Sequence, residues 1–161
     1  SQGGFAMAAG LAALDVLDRE NLIANAARMG DLIGHGLQAM VPRFEFMKEV
    51  RWRGLMVGIE FGPPKSLGLK LACTTCHTLD KSLFPQAAII PLMDKHHIIT
   101  QVAGHGVDVV KLLPPLVITE ADADYFLKSF EDVMVQMHKF PGPAWDVLTG
   151  IGKLALTQRA R

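Results

Sequence analysis

The 161 residues are 50% hydrophobic and 20% charged, enough apolar material for one ordinary domain with a core and too much for a disordered chain. Sixteen acidic residues balance sixteen basic ones, so no broad field draws the chain to nucleic acid or to an anionic membrane, and small molecules or proteins are the expected partners. Two cysteines exclude a disulfide scaffold, no run reaches the roughly 20 apolar residues of a membrane-spanning helix, and Ser1-Gln2-Gly3-Gly4 has no basic stretch preceding an apolar one. A cytoplasmic location is the expectation. The start at serine rather than methionine reads as a fragment or a processed piece.

From Phe5 to Met40, apolar residues recur at helical spacing: Met7, Leu11, Leu14 and Leu17, then Leu22, Ala26, Met29, Ile33 and Leu37. Two helices, or one long bent helix, fit this spacing; the stripe changes register at Asp18-Arg19-Glu20-Asn21, where Asp18 is a candidate cap for a second helix. Pro42 closes this region. Phe44, Phe46, Lys48 and Val50 alternate with polar or flexible neighbours, and Leu55 to Phe61 is a nearly continuous apolar run. Two strands follow from this, joined through Arg51-Trp52-Arg53-Gly54. Gly62-Pro63-Pro64 breaks the chain before a helix from Ser66 to about Leu83 and a shorter one from Pro85 to Asp94. His97 to Ala103 and Val107 to Leu113 read as two further strands around the turn Gly104-His105-Gly106.

Thr119 followed by Asp122 has the spacing of a capping box, and Phe126, Phe130, Val133 and Met137 form one stripe of the helix behind it. Pro141-Gly142-Pro143 is a linker to a last short helix carrying Trp145, Leu148, Ile151 and Ala155. The expected organisation is a helical segment over 1–40, an α+β domain over 41–140, and a linker with a short helix over 141–161. Its fold class is α+β, an antiparallel or mixed sheet of about four strands covered by helices, because a doubly wound parallel sheet would need a regular alternation of strand and helix that is absent.

A lysine interrupts the apolar strand Val109-Val110-Lys111-Leu112-Leu113, and a buried lysine must reach water or face an anion. The continuation Pro114-Pro115-Leu116 makes this segment resemble the "arginine, two residues, Pro-Pro-Leu" signature of class III, fold-type I aminotransferases that use pyridoxal phosphate. Val50-Arg51-Trp52-Arg53-Gly54-Leu55-Met56-Val57-Gly58-Ile59-Glu60 is similar to the family's "Val-Arg-Gly-x-Gly-Leu-Met-x-Gly-Ile-Glu" strand pair, with Trp52 in the place of a glycine. Gly3 to Leu17 resembles the long helix leading out of the family's cofactor-binding domain. The likeness runs from about Ser1 to Met137 and covers the last third of such an enzyme, its C-terminal small domain.

The resemblance implies amino transfer from an amine or amino acid to a keto acid or aldehyde in a homodimeric parent enzyme. It also implies that the Schiff-base lysine, the acid facing the pyridine nitrogen and most phosphate donors lie in a large catalytic domain upstream. The phosphate-binding threonine would fall just before Ser1 and Gln2, which places those two residues beside the cofactor. This segment alone is then expected to be inactive, without a covalently held cofactor. Lys111 takes the position of the family's carboxylate-binding arginine, and His105, in the preceding turn, is a second candidate at the substrate entrance. Guanidinium grips a carboxylate through two parallel hydrogen bonds, whereas ammonium is a point charge. A diamine, an ω-amine or a carrier-linked chain becomes a reasonable donor.

Other patterns have blander readings. Cys73-Thr74-Thr75-Cys76-His77 spells the attachment sequence of a c-type haem, but such proteins are exported, and cysteines on a helix also serve as small apolar residues. A zinc site would need two more ligands than this cluster offers. His96 and His97, read as neighbours on one strand, point to opposite faces and do not chelate one ion. Arg51 is expected to pair with Glu49. A non-catalytic interaction module derived from the same domain is the alternative to an enzyme lobe.

Overall fold

The computed structural model describes residues 3–70, 73, 74, 83–104, 107–139 and 142. The expected site residues Ser1, Gln2 and His105, the haem-pattern residues Cys76 and His77, and the helix carrying Trp145 lie outside them.

Helices α1 (Gly4–Arg19) and α2 (Leu22–Met40) are separate, which decides for two helices over one long bent helix. Asp18, however, does not cap α2: it remains inside α1, and the N-cap is Asn21, in the left-handed region at φ 51 with no side-chain cap bond. Asparagine tolerates this conformation better than most residues, and one such residue suffices to redirect the chain. The stripe of α2 is buried through Met29, Ile33 and Leu37. That of α1 is not, since α1 has no buried residue and Phe5 and Leu11 are 92% and 68% exposed.

Strand β1 (Met47–Arg53) pairs antiparallel with β2 (Met56–Phe61), with a bulge between Met47 and Glu49. Arg51, Trp52 and Arg53, expected in the connection, belong to β1, and Phe44 and Phe46 precede it rather than lying within it. The reversal is made at Gly54, φ +53, a conformation open to glycine at little cost. A Cβ added to Gly30 of α2 would stand 2.0 Å from Gly54 O, so hairpin and helix approach each other backbone to backbone.

Helix α3 (Leu83–His96) begins before Pro85 and outlasts Asp94, and His97 at φ 55 terminates it. The amides of His97 and Ile98 close on the carbonyls of Met93 and Leu92. This consumes much of the first expected strand: β3 is only Gln101–Val102, and β4 is Val109–Leu112. The sheet order is β1-β2-β4-β3 and every pairing is antiparallel. Residues 67–70, 73 and 74 are helical, within the span where the sequence predicts a helix.

Helix α4 (Glu120–Met137) opens with the expected capping box. Thr119 Oγ1 accepts from the Asp122 amide at 3.3 Å, and Asp122 Oδ2 accepts from the Thr119 amide at 3.0 Å. Phe126, Phe130, Val133 and Met137 are all buried. Val50, Val57, Ile59, Val110 and Leu112 meet α2, α3 and α4 in one core on one side of the sheet. The chain is therefore α+β, an antiparallel sheet with its helices on one face. No described helix is long and apolar enough to cross a membrane.

Candidate functional site

Strand alternation decides where Lys111 points. Its neighbours Val110 and Leu112 are 0% and 7% exposed and belong to the core, so Lys111 stands on the opposite face, which no described helix covers. In register across that face lie Arg51 on β1, Gly58 on β2, Lys111 on β4 and Gln101 on β3. Gly58 contributes no side chain, so one side of Lys111 is open and the other is bounded by Gln101.

The charges around this row are unequally satisfied. Glu60 accepts from Lys48 at 2.5 Å and forms an ion pair with Arg51 at 3.1 Å, with its side chain only 20% exposed. The bulge makes this possible by setting Lys48 and Glu49 together beside Glu60. The Lys48 hydrogen bond, more than the charge of Arg51, lowers the pKa of Glu60 against the opposing effect of desolvation, and the same bond raises that of Lys48. Arg51 also meets Glu49 at 3.8 Å, the pairing the sequence suggests. Lys111 is half-buried, and its side chain has no hydrogen bond or ion pair among the described residues. It lines a notch of about 250 Å³ with Ile99, Thr100, Gln101 and Leu113. Thr100 Oγ1 is buried there without a hydrogen-bond partner.

The strand leads into Pro114-Pro115, and this connector is anchored from a distance. Asn25 Nδ2 donates to the carbonyls of Leu116 at 2.8 Å and Ile118 at 3.0 Å, while Arg28 donates to Asn25 Oδ1 at 3.2 Å and meets Glu120 at 3.6 Å. Sequence reasoning misses Asn25 because its partners lie more than ninety positions away. It also misses Gln101, whose relevance comes only from the register opposite Lys111. Behind the connector is an apolar cavity of about 400 Å³, lined by Ile33, Leu112, Pro114, Ile118 and Phe126 among others.

The other candidates disperse. His96 and His97 do not share a strand: His96 closes α3 and bonds Asp132 Oδ2 at 2.8 Å, while His97 is exposed in the left-handed turn. Lys95 joins the same carboxylate at 2.8 Å, and these bonds, Lys95 foremost, hold Asp132 down to about 2. Cys73 is buried in the core, the role of a small apolar residue rather than of a haem attachment point. Trp52 lies over Gly34 of α2, donates Nε1–H to Asp31 Oδ1 at 3.0 Å and meets His35 edge-on. Among the described residues no group of three histidine, cysteine or acidic side chains could hold a metal ion.

Known proteins agree with this architecture. Residues 3–134 match the family described as aminotransferase class-III. The chain is 30% identical to alanine-glyoxylate aminotransferase 2 homolog 2, mitochondrial, of Arabidopsis thaliana, over 80% of this chain and 25% of that protein. It is 34% identical to a diaminobutyrate-2-oxoglutarate aminotransferase of Rhizobium meliloti, over 74% of this chain and 24% of the relative. A transaminase structure from the marine bacterium Virgibacillus superposes with a TM-score of 0.64 at 24% identity, covering 82% of this chain and 28% of that one, and so shares its fold. The chain spans about a quarter of the length of these relatives. With the family match covering most of its length and an antiparallel lobe of the kind found in fold-type I transaminases, the chain belongs to the class III aminotransferases, whose cofactor is pyridoxal phosphate.

Proposed function

We propose that this chain is the C-terminal small lobe of a pyridoxal-phosphate aminotransferase that moves an amino group from an amine or amino acid to a keto acid or aldehyde. In this reading the helical segment 1–40 leads in from a large catalytic domain, and residues 41–140 close over the substrate. The active enzyme is a cytoplasmic homodimer, and the cofactor is held by the large domain. Ser1 and Gln2 then adjoin the phosphate, and His105 stands at the substrate entrance.

The observation that carries this reading is Lys111: a half-buried cation with no counter-ion among the described residues, on the uncovered face of the sheet, where Lys48 and Arg51, two strands away, are paired with Glu60. A half-buried lysine whose stem packs on the sheet and whose ammonium has no partner among the described residues suits a position whose counter-ion arrives with a ligand. Lys111 is the residue that binds the substrate's anionic end. As a point charge it fixes the direction of a carboxylate less tightly than a guanidinium does. In the full-length enzyme, Lys111→Arg is expected to raise kcat/KM for α-amino acids several-fold relative to amines without a carboxylate. An unchanged ratio would count against the assignment of Lys111.

A further inference from the structure

We infer that Gln101 is a specificity-determining residue, whose side-chain amide supplies a second hydrogen bond to a substrate carboxylate held by Lys111. The inference rests on the proposed role of Lys111 and adds to it a residue and a substrate class. Three observations carry it. Gln101 is directly opposite Lys111 in the β3 to β4 register, which brings neighbouring Cβ atoms to roughly 5 Å on the same face. Both residues line the same notch, completed by Ile99, Thr100 and Leu113. Neither side chain has a hydrogen-bond partner among the described residues.

Competition for Lys111 from the protein itself is weak. Gly58, opposite it on β2, has no side chain, and Glu60 is occupied by Lys48 and Arg51. An ammonium and a carboxamide N–H reach a carboxylate from two strands and engage one oxygen each. One guanidinium makes the same two bonds from a single side chain. The lysine therefore does not by itself exclude amino acids, because the second donor comes from β3. Without Gln101 the notch would offer a single charged donor, and donors with and without a carboxylate would be treated more alike.

The test uses the full-length enzyme with its cofactor and paired donors that differ only in the α-carboxylate, L-ornithine and putrescine. Gln101→Leu is expected to lower kcat/KM for ornithine about tenfold, mainly through KM, because a hydrogen bond to a charged group is lost, and to change putrescine less than about twofold. Gln101→Glu keeps the size but sets a like charge beside the carboxylate, so the loss for ornithine should be larger and that for putrescine still small. Equal losses for both donors, or no loss for ornithine, would overturn the role of Gln101. Lys111→Met separates the two claims: if it penalises ornithine while Gln101→Leu does not, only Gln101 is wrong, and if it leaves ornithine unaffected, the reading of Lys111 falls and this inference with it.

Discussion

Two glycines show how far residue type alone can mislead. Gly30 and Gly58 are equally unremarkable in sequence, yet a Cβ on Gly30 would stand 2.0 Å from the backbone oxygen of Gly54, whereas one on Gly58 would meet Val109 Cγ1 at 3.8 Å, an ordinary contact. Gly30→Ala should therefore destabilise the chain by about 3 kcal/mol or more, since helix and hairpin must separate, and Gly58→Ala by less than about 1 kcal/mol. Urea midpoints of the two variants, compared at equal m-value, measure this difference. Trp52 illustrates the reverse. It occupies a position where the family motif has glycine, and α2 receives it: Gly34 leaves room beneath the indole and Asp31 accepts its N–H. Lys111 was legible as an anomaly because a cation interrupts an apolar run. Gln101 and Asn25 carried no such local signal, since strand register defines one and contacts across the whole chain define the other.

At the scale of elements, α3 and α4 are joined by a polar lock at their solvent edge. Asp132 Oδ2 takes bonds from Lys95 and His96 of α3 and from Gln136 one turn further along α4, each at 2.8 Å, and the Tyr125 hydroxyl donates to the His96 carbonyl at 3.0 Å. The Lys95 hydrogen bond is the largest influence lowering the Asp132 pKa from 3.8 to about 2. A carboxyl that ionises more readily folded than unfolded gives stability that is fully present above its unfolded pKa and lost as pH falls through the folded one. The contribution of Asp132 is thus intact at neutral pH and disappears between about pH 4 and pH 2. With the carboxylate 39% exposed, solvent screening reduces it to roughly 1 kcal/mol. Asp132→Asn should lower the denaturation midpoint at pH 7 and make little difference near pH 2. An equal penalty at both pH values would show that shape or packing, not charge, is what the substitution removes.

Taken as a whole, the molecule has two faces without described cover: the apolar stripe of α1 and the sheet face bearing Arg51, Lys111 and Gln101. Exposed Ile99 and Leu113 border the second. Apolar surface of this extent on a separate chain favours association. Size-exclusion chromatography of the 161-residue chain should therefore show concentration-dependent self-association that diminishes when Phe5 and Leu11 are replaced by glutamate. A monodisperse chain would instead favour the alternative of an evolved, free-standing interaction module. The sequence by itself determined that Phe5 to Met40 is helical, that Thr119 and Asp122 cap the last helix, and that Phe126, Phe130, Val133 and Met137 face the core. These features depend on spacing within a few turns, where side-chain periodicity and backbone geometry are local. Tertiary structure alone decided that His97 ends a helix instead of beginning a strand, that Asn21 rather than Asp18 lies at the α2 N-cap, and that Gln101 stands beside Lys111. Each depends on where distant segments come to rest, on left-handed backbone at Asn21 and His97 and on antiparallel register across β3 and β4, and such choices are set by packing rather than by the residues on either side.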